Sequence, residues 1–255
     1  METFGVVYCA TNNPLYLKAA ITSAIALHKL NRDIPITIFF DDRLKPGLFL
    51  TQQLRYYKIN LVRIALLGGE YRSREAKTNL GLITPYENTL YLDADIFPVN
   101  PVPEIWNFLG ENDIAMVRDL NPTLAECDHV APSEIAFTLT REGITPNSIQ
   151  YNTGVMLWRK NAATDLFFEQ WNKEWLIFQK HDQVAQIRAI AKTGISITKM
   201  PVEYNTPPPF GLKNLEHEGT KFVHHWGGQI NSGNFFTIVK SRNPEISWLV
   251  NELLT

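Results

Sequence analysis

Cysteine is nearly absent from this 255-residue chain, which holds only Cys9 and Cys127. That scarcity excludes a disulfide framework and a Cys-rich zinc site. Cys9 sits in an apolar run and reads as a core thiol; Cys127, in a polar stretch, reads as a loop thiol. Excess charge is lacking too. A formal net charge of -2 provides no general attraction for nucleic acid or anionic lipid, although a local basic cleft is compatible with it. No stretch approaches the roughly 18 consecutive apolar residues of a membrane span. Met1-Glu2-Thr3-Phe4 lacks the basic start and apolar run of a signal peptide, so a cytoplasmic protein with no integral membrane segment is expected. Internal repeats, low-complexity tracts and blocks of like charge are also missing, and nothing forces a domain boundary. What the chain does have is 45% hydrophobic residues, enough to bury a sizeable core in one large domain or two small ones.

Those apolar residues alternate between strand-like and helix-like patterns. Phe4 to Ala10 reads as a buried strand, Leu15 to Leu30 as a helix, and Ile34 to Phe40 as a strand entering Asp41-Asp42. Leu48 to Tyr57 looks helical, Leu61 to Ile64 extended, Arg74 to Gly81 helical, and Thr89 to Leu92 extended. The repeated β-α-β-α order predicts an α/β fold with a mostly parallel sheet and helices on both faces. A short strand follows at Ile114 to Val117. Arg118 to Gln150 then turns irregular, with three prolines, and reads as an excursion or lid. Gly154 to Trp158 resumes as a strand. Next comes a helix on which Phe167, Trp171, Trp175 and Phe178 recur at helical spacing, most simply a core stripe. After His181-Asp182-Gln183 comes another helix to about Lys192, then a strand at Ile195 to Met200, a Pro-rich loop at Asn205 to Gly211, and a last short strand at Phe222-Val223. His28 falls on the stripe of Leu17, Ile21 and Ala24 and reads as structural.

The most informative segment is Thr89-Leu90-Tyr91-Leu92-Asp93-Ala94-Asp95. A continuous apolar run, as expected of a strand buried on both faces, ends in two carboxylates at i and i+2. In extended backbone these leave the same side. Two anionic oxygen ligands converging at a strand mouth suit Mg²⁺ or Mn²⁺, which can bridge nucleotide phosphates. An Asp-X-Asp triplet alone can equally be a turn former or helix cap. The apolar run before it favours the ligand reading, since open α/β sheets bind ligands beyond the carboxyl ends of their strands. Arg74 and Lys77, at i and i+3, share one helix face. Asp182 precedes a helical run and is also explained as its N-cap.

Taken in order, Lys77, Asp93-Ala94-Asp95, Asn152-Thr153-Gly154-Val155, Asp182-Gln183, Tyr204-Asn205 and His224-His225-Trp226-Gly227 resemble the motif set of GT-A glycosyltransferases. Within that class, from Val6 to about Gly228, the chain is similar to the glycogenin-like family 8 of retaining sugar transferases. The resemblance implies a Rossmann-like GT-A fold over residues 1–255, with a nucleotide-sugar-binding half at 1–100 and an acceptor-binding, metal-completing half at 101–255. It implies transfer from a nucleotide-sugar donor, UDP-linked by analogy, to a saccharide or other hydroxyl acceptor. Asp93, Asp95 and His224 would hold Mn²⁺, or Mg²⁺ as the alternative; His225 is the competing histidine. Thr11, Asn12 and Tyr16 would meet the nucleotide, Arg74, Lys77, Ala94 and Gly227 the donor diphosphate or sugar, and Asn152, Asp182 and Gln183 the sugar at the reacting centre.

One departure stands out. The family's late motif continues into a lysine three residues after its glycine, whereas Gly227 is followed by Gly228-Gln229-Ile230-Asn231. Lys221, Lys240 and Arg242 are the nearby cations that could substitute. Two rival functions share these residues: a sugar-nucleotide pyrophosphorylase, whose Gly-rich basic signature Cys9-Ala10-Thr11-Asn12-Asn13 does not match, and a non-catalytic nucleotide-sugar binder. Retention of both aspartates and His224 counts against the latter, because clustered carboxylates without a cation cost stability.

Overall fold

The computed structural model describes residues 3–41, 45, 48–65, 71–207, 219–226 and 228–254. Its main sheet has seven strands in the order β3-β2-β1-β4-β7-β6-β8, where β1 is Phe4–Ala10, β2 Ile36–Asp41, β3 Ile59–Ile64, β4 Asn88–Leu92, β6 Ile114–Thr123, β7 Ile149–Arg159 and β8 Ile197–Met200; β5 (Ile96–Pro98) and β9 (Phe222–His224) form a separate pair. The expected α/β architecture with a mostly parallel sheet is what is found. Pairs β1-β2, β2-β3 and β6-β8 are parallel, and β6-β7 is antiparallel. Among the described residues no helix is long and apolar enough to cross a membrane. The chain divides into two compact units, one of residues 4–65, 90–105 and 201–255, the other of residues 1–3, 66–89 and 106–200.

In the first unit, β1 and β2 are buried along nearly their whole length, which is why they read as continuous apolar runs rather than alternating ones. Between them lies helix α1 (Pro14–Leu30). Its N-cap Asn13 accepts a hydrogen bond from Leu15 N at 2.9 Å, and Pro14 occupies the first helical position, where its missing N–H costs nothing. Ser23 of α1 donates to Ile96 O at 2.7 Å and meets the Tyr8 hydroxyl at 3.0 Å. His28 stands edge-on to Tyr57 at 5.8 Å. Helix α2 spans Leu48–Tyr56. Two C-terminal helices close the unit beyond the last element expected from sequence.

The second unit departs from expectation in two places. The single helix expected at Arg74 to Gly81 is two, α3 (Arg72–Thr78) and α4 (Leu80–Ile83), joined at Asn79. Asn79 caps by donating from its side chain to Glu75 O at 2.9 Å, the local bond that draws Asn out of helix interiors. A Cβ on Gly81 would lie 2.0 Å from Phe168 Cδ2, so glycine is what lets α4 approach its neighbour. The supposed irregular stretch from Arg118 to Gln150 is also ordered. Strand β6 runs through Pro122 to Thr123, and Pro132 opens helix α5 (Pro132–Leu139) at its first position; proline there starts a helix rather than breaking it. Helix α6 (Ala162–Phe178) begins with a capping box between Asn161 and Thr164. Phe167, Trp171 and Trp175 of its aromatic stripe are buried. Helix α7 (Asp182–Thr193) follows.

Between α5, α6 and α7 lies a buried ionic group. Arg188, 1% exposed at its side chain, donates to Glu174 Oε2 at 3.0 Å, to Glu134 Oε1 at 3.3 Å and to Thr138 Oγ1 at 2.8 Å. Burial pushes the Glu134 carboxyl up against the opposing pull of Arg188. Deleting one partner of such a group leaves the others buried and unpaired. Arg188→Met is therefore expected to lower the unfolding free energy by about 3–5 kcal/mol, read as a lower urea midpoint at unchanged slope; a loss well under 1 kcal/mol would contradict the role given to this group.

Candidate functional site

The two aspartates of the acidic triplet are not part of a strand. Leu92 ends β4, and Ile96 N donates back to Asp93 O at 3.0 Å, so Asp93-Ala94-Asp95-Ile96 is a turn. The carboxylates converge through this turn and not through the pleat alternation expected from extended backbone. Strand β9 then lies antiparallel to β5, with His224 opposite Ile96, Val223 opposite Phe97 and Phe222 opposite Pro98. That register sets His224 Nε2 at 3.3 Å from Asp95 Oδ1 and 4.0 Å from Asp93 Oδ2. Ligand atoms of Asp93, Asp95 and His224 all fall within 4.8 Å of one another, the one such group among the described residues.

The surroundings prepare these three for a cation. Nδ1 of His224 lies 3.0 Å from Asn205 Oδ1. A carboxamide oxygen only accepts, so Nδ1 carries a proton and Nε2 is the ring nitrogen that faces the carboxylates. The Tyr91 hydroxyl donates to Asp93 Oδ1. His225 has a different setting. Its backbone N–H donates to Asp95 O at 2.8 Å, and its ring is buried beside Phe97 and Phe235. Neither of its ring nitrogens has a hydrogen-bond partner among the described residues, and burial pushes the imidazole down to about 4.

At the C-terminal end of β1, Asn12 takes a left-handed φ of 66°, which Asn tolerates, and its N–H donates to the buried Asp41 at 2.9 Å. Thr11 is buried with its hydroxyl unpartnered among the described residues, and Tyr16 is half-buried in the first turn of α1. Asp41 was not singled out in the sequence. Of the cations considered as substitutes for the missing lysine, Lys221 bonds Glu104 at 2.9 Å and Pro101 O at 3.0 Å. Lys240 donates to Asn251 at 3.1 Å, and Arg242 is exposed in the last turn of a helix. Gly227 and most of the Asn205 to Gly211 loop lie outside the described residues.

The second unit gathers another set. Asp182 is not the cap of α7, which is His181. Its buried carboxylate accepts from Thr153 Oγ1 at 2.7 Å and pairs with Lys77 at 3.5 Å and Arg74 at 3.4 Å. Burial acts to raise this carboxyl, but Lys77, then Arg74 and Thr153, together hold it below the usual range. The i, i+3 spacing of Arg74 and Lys77 thus serves one carboxylate. Asn152 and Gln183 meet at Asp119, each donating a side-chain amide to Asp119 Oδ2 at 2.9 Å. Thr153 lay within a quoted motif without a role. Asp119 was missed, because it sits in a stretch read as irregular and no spacing links it to α7.

No protein-family model matches the chain, and no curated protein matches it by sequence. Solved structures do. The apo WbbM bifunctional glycosyltransferase superposes at TM-score 0.67 with 13% identity over 99% of this chain and 52% of that one. The galactosyltransferase LgtC, in complex with donor and acceptor sugar analogues, gives 0.62 with 15% identity over 93% of this chain and 95% of its own. The glycosyltransferase GlyE of Streptococcus pneumoniae TIGR4 gives 0.58 with 16% identity, covering 89% of this chain and 55% of its own. The chain has the GT-A glycosyltransferase fold. It spans about half the length of WbbM and of GlyE.

Within this fold, a histidine next to Asp182 carries a response to pH. His181 lies 5.7 Å from His129, edge to face. Burial first, then the positive charge of Arg74 and the neighbouring His129, pushes its imidazole down to about 4. Between the unfolded value near 6.5 and about 4, the unfolded chain takes up a proton at this position that the folded chain does not. Stability therefore falls on acidification through that window. His181→Gln is expected to remove about 1–2 kcal/mol of the acid loss, a figure reduced for partial exposure. Urea denaturation at pH 7 and pH 4.5 measures it; an identical acid loss in the variant would contradict the assignment.

Proposed function

We propose that the chain is a metal-dependent glycosyltransferase that moves a sugar from a UDP-sugar to a hydroxyl of a saccharide or related acceptor, with retention of anomeric configuration. The observation that carries this reading is the convergence of Asp93, Asp95 and His224 within 4.8 Å, with Asn205 setting the tautomer of His224. Two carboxylate oxygens and an imidazole nitrogen suit Mn²⁺, with Mg²⁺ the poorer fit. When bound, the cation neutralises charge on the departing nucleoside diphosphate.

The chain's own residues take the other roles. Thr11, Asn12 and Tyr16 receive base and ribose beside the N-terminus of α1. Lys77, Arg74, Ala94 and Gly227 are the candidates for the donor's phosphates or sugar, and Asn152, Asp182 and Gln183 for orienting the sugar. In the transfer, the acceptor oxygen bonds to the anomeric carbon as that carbon's bond to the diphosphate oxygen breaks. The hydroxyl proton goes to the departing diphosphate, and the transition state has oxocarbenium character.

The test is release of free nucleotide from UDP-, GDP-, ADP- and dTDP-sugars, with Mn²⁺ or with chelator. Slow Mn²⁺-dependent hydrolysis of one UDP-sugar is expected, with Asp95→Asn slower by about 10²–10³-fold, the usual scale for losing charge stabilisation of a leaving group. Donor binding without release under any metal would sink the catalytic reading and leave a nucleotide-sugar binder.

A further inference from the structure

The Asp119 carboxylate is the meeting point of three N–H donors. Oδ1 accepts from Asn121 N at 3.0 Å, and Oδ2 accepts from Asn152 Nδ2 and Gln183 Nε2, both at 2.9 Å. It lies on β6 where the ladder with β7 slips register, between Arg118 and Thr123, the kind of irregularity that re-aims a side chain. The backbone bond to Oδ1 stops the carboxylate from rotating. The Asn152 oxygen is likewise held, accepting from Gly154 N at 2.9 Å.

This arrangement decides which end of the Gln183 amide faces outward. A carboxylate and a peptide carbonyl only accept hydrogen bonds. Gln183 has one of each against its side-chain terminus: Asp119 Oδ2 at 2.9 Å and Tyr151 O at 3.3 Å. The terminus beside them must therefore be the NH₂ end, with both hydrogens committed. Gln183 Oε1, the other end of the amide, points away and accepts no hydrogen bond among the described residues. Resting on the function proposed above, we infer that Asp119 is a positioning residue that locks Gln183 with its carbonyl oxygen toward the donor sugar. An amide oxygen there stabilises positive charge developing at the anomeric carbon; an amide nitrogen would oppose it. Without Asp119 the carboxamide can turn over, because the Tyr151 carbonyl alone holds only one hydrogen.

Asp119→Asn keeps the shape but offers an N–H of its own, so Gln183 can flip. In donor hydrolysis, kcat is expected to fall about 10–100-fold, the range for groups that support a functional side chain, while donor KM stays within about threefold. The pair Asp119→Asn with Gln183→Glu supplies the decisive comparison. Gln183→Glu alone sets two carboxylates against each other, and adding Asp119→Asn gives the new carboxylate a donor. The double variant is expected to exceed Gln183→Glu alone by about tenfold, where independent structural losses would multiply. A second readout needs no turnover. The Gln183 side-chain NH₂ pair, identified in NMR spectra by its absence from Gln183→Glu, is expected to exchange slowly in the wild type and rapidly in Asp119→Ala. Wild-type kcat in Asp119→Asn, multiplicative losses in the double variant, or an unchanged amide pair in Asp119→Ala would overturn the inference. Absence of turnover in the wild type would instead count against the proposed function, with the amide exchange still deciding the geometry.

Discussion

The antiparallel pairing of β5 with β9 is the constraint on which the acidic cluster depends. Three residues a side bring His224 back beside a turn more than a hundred positions earlier, and closing so long a loop has an entropic cost that only slowly grows with length. The pairing is held by what surrounds it. Ile96, Phe97, Phe222 and Val223 are buried, Ser23 donates to Ile96 O, and His224 N donates to Thr206 O at 2.9 Å. The carboxylates of Asp93 and Asp95 would repel each other in such a turn. Tyr91, donating to Asp93, relieves part of that repulsion, and a cation held by both carboxylates and the His224 ring nitrogen would relieve the rest.

The second unit solves a similar problem in two different ways. Around Asp182 a buried carboxylate meets two cations and a hydroxyl, so charge is balanced where solvent is scarce. Around Asp119 a carboxylate meets three neutral N–H groups among the described residues, and what it supplies is orientation rather than neutralisation. The group at Arg188 is superficially alike, with an arginine and two glutamates. It is closed on every side by helices and by the Phe137 and Phe178 rings, and every hydrogen bond given by its guanidinium has a partner within the core. Composition cannot separate these three groups, since each is an acid beside donors. Burial and direction do.

Much of the fold was legible in the residues, and the errors have identifiable causes. β1 and β2 were readable because burial on both faces forces an unbroken apolar run. β5 was not, because three residues carry no periodicity, whereas β9 was read as the short strand at Phe222-Val223. Pro132 lay among three prolines in a stretch read as irregular, when its position makes it a helix start, and Asn79 was read as helical when its side chain competes for the backbone. The ordered motifs singled out Asp93, Asp95, Asn152 and Asp182 as candidates. The spacing argument for the aspartates rested on extended backbone, whereas the convergence comes from a turn. Asp41 and Asp119 went unread, since a lone aspartate acquires meaning only from what folds against it.

The sequence by itself determined most of the order of strands and helices, the placement of an acidic pair after a buried strand, and the pairing of Arg74 with Lys77 on one helix face. All three follow from local periodicity, which one segment carries alone. Tertiary structure decided which of two adjacent histidines joins the aspartates. Consecutive residues leave a strand on opposite sides, and only the register of β9 on β5 turns His224 toward Asp95 and His225 into the core. It also decided that Asp119 governs Gln183, because a hydrogen bond between distant residues depends on where a backbone slips register, and no local pattern records that.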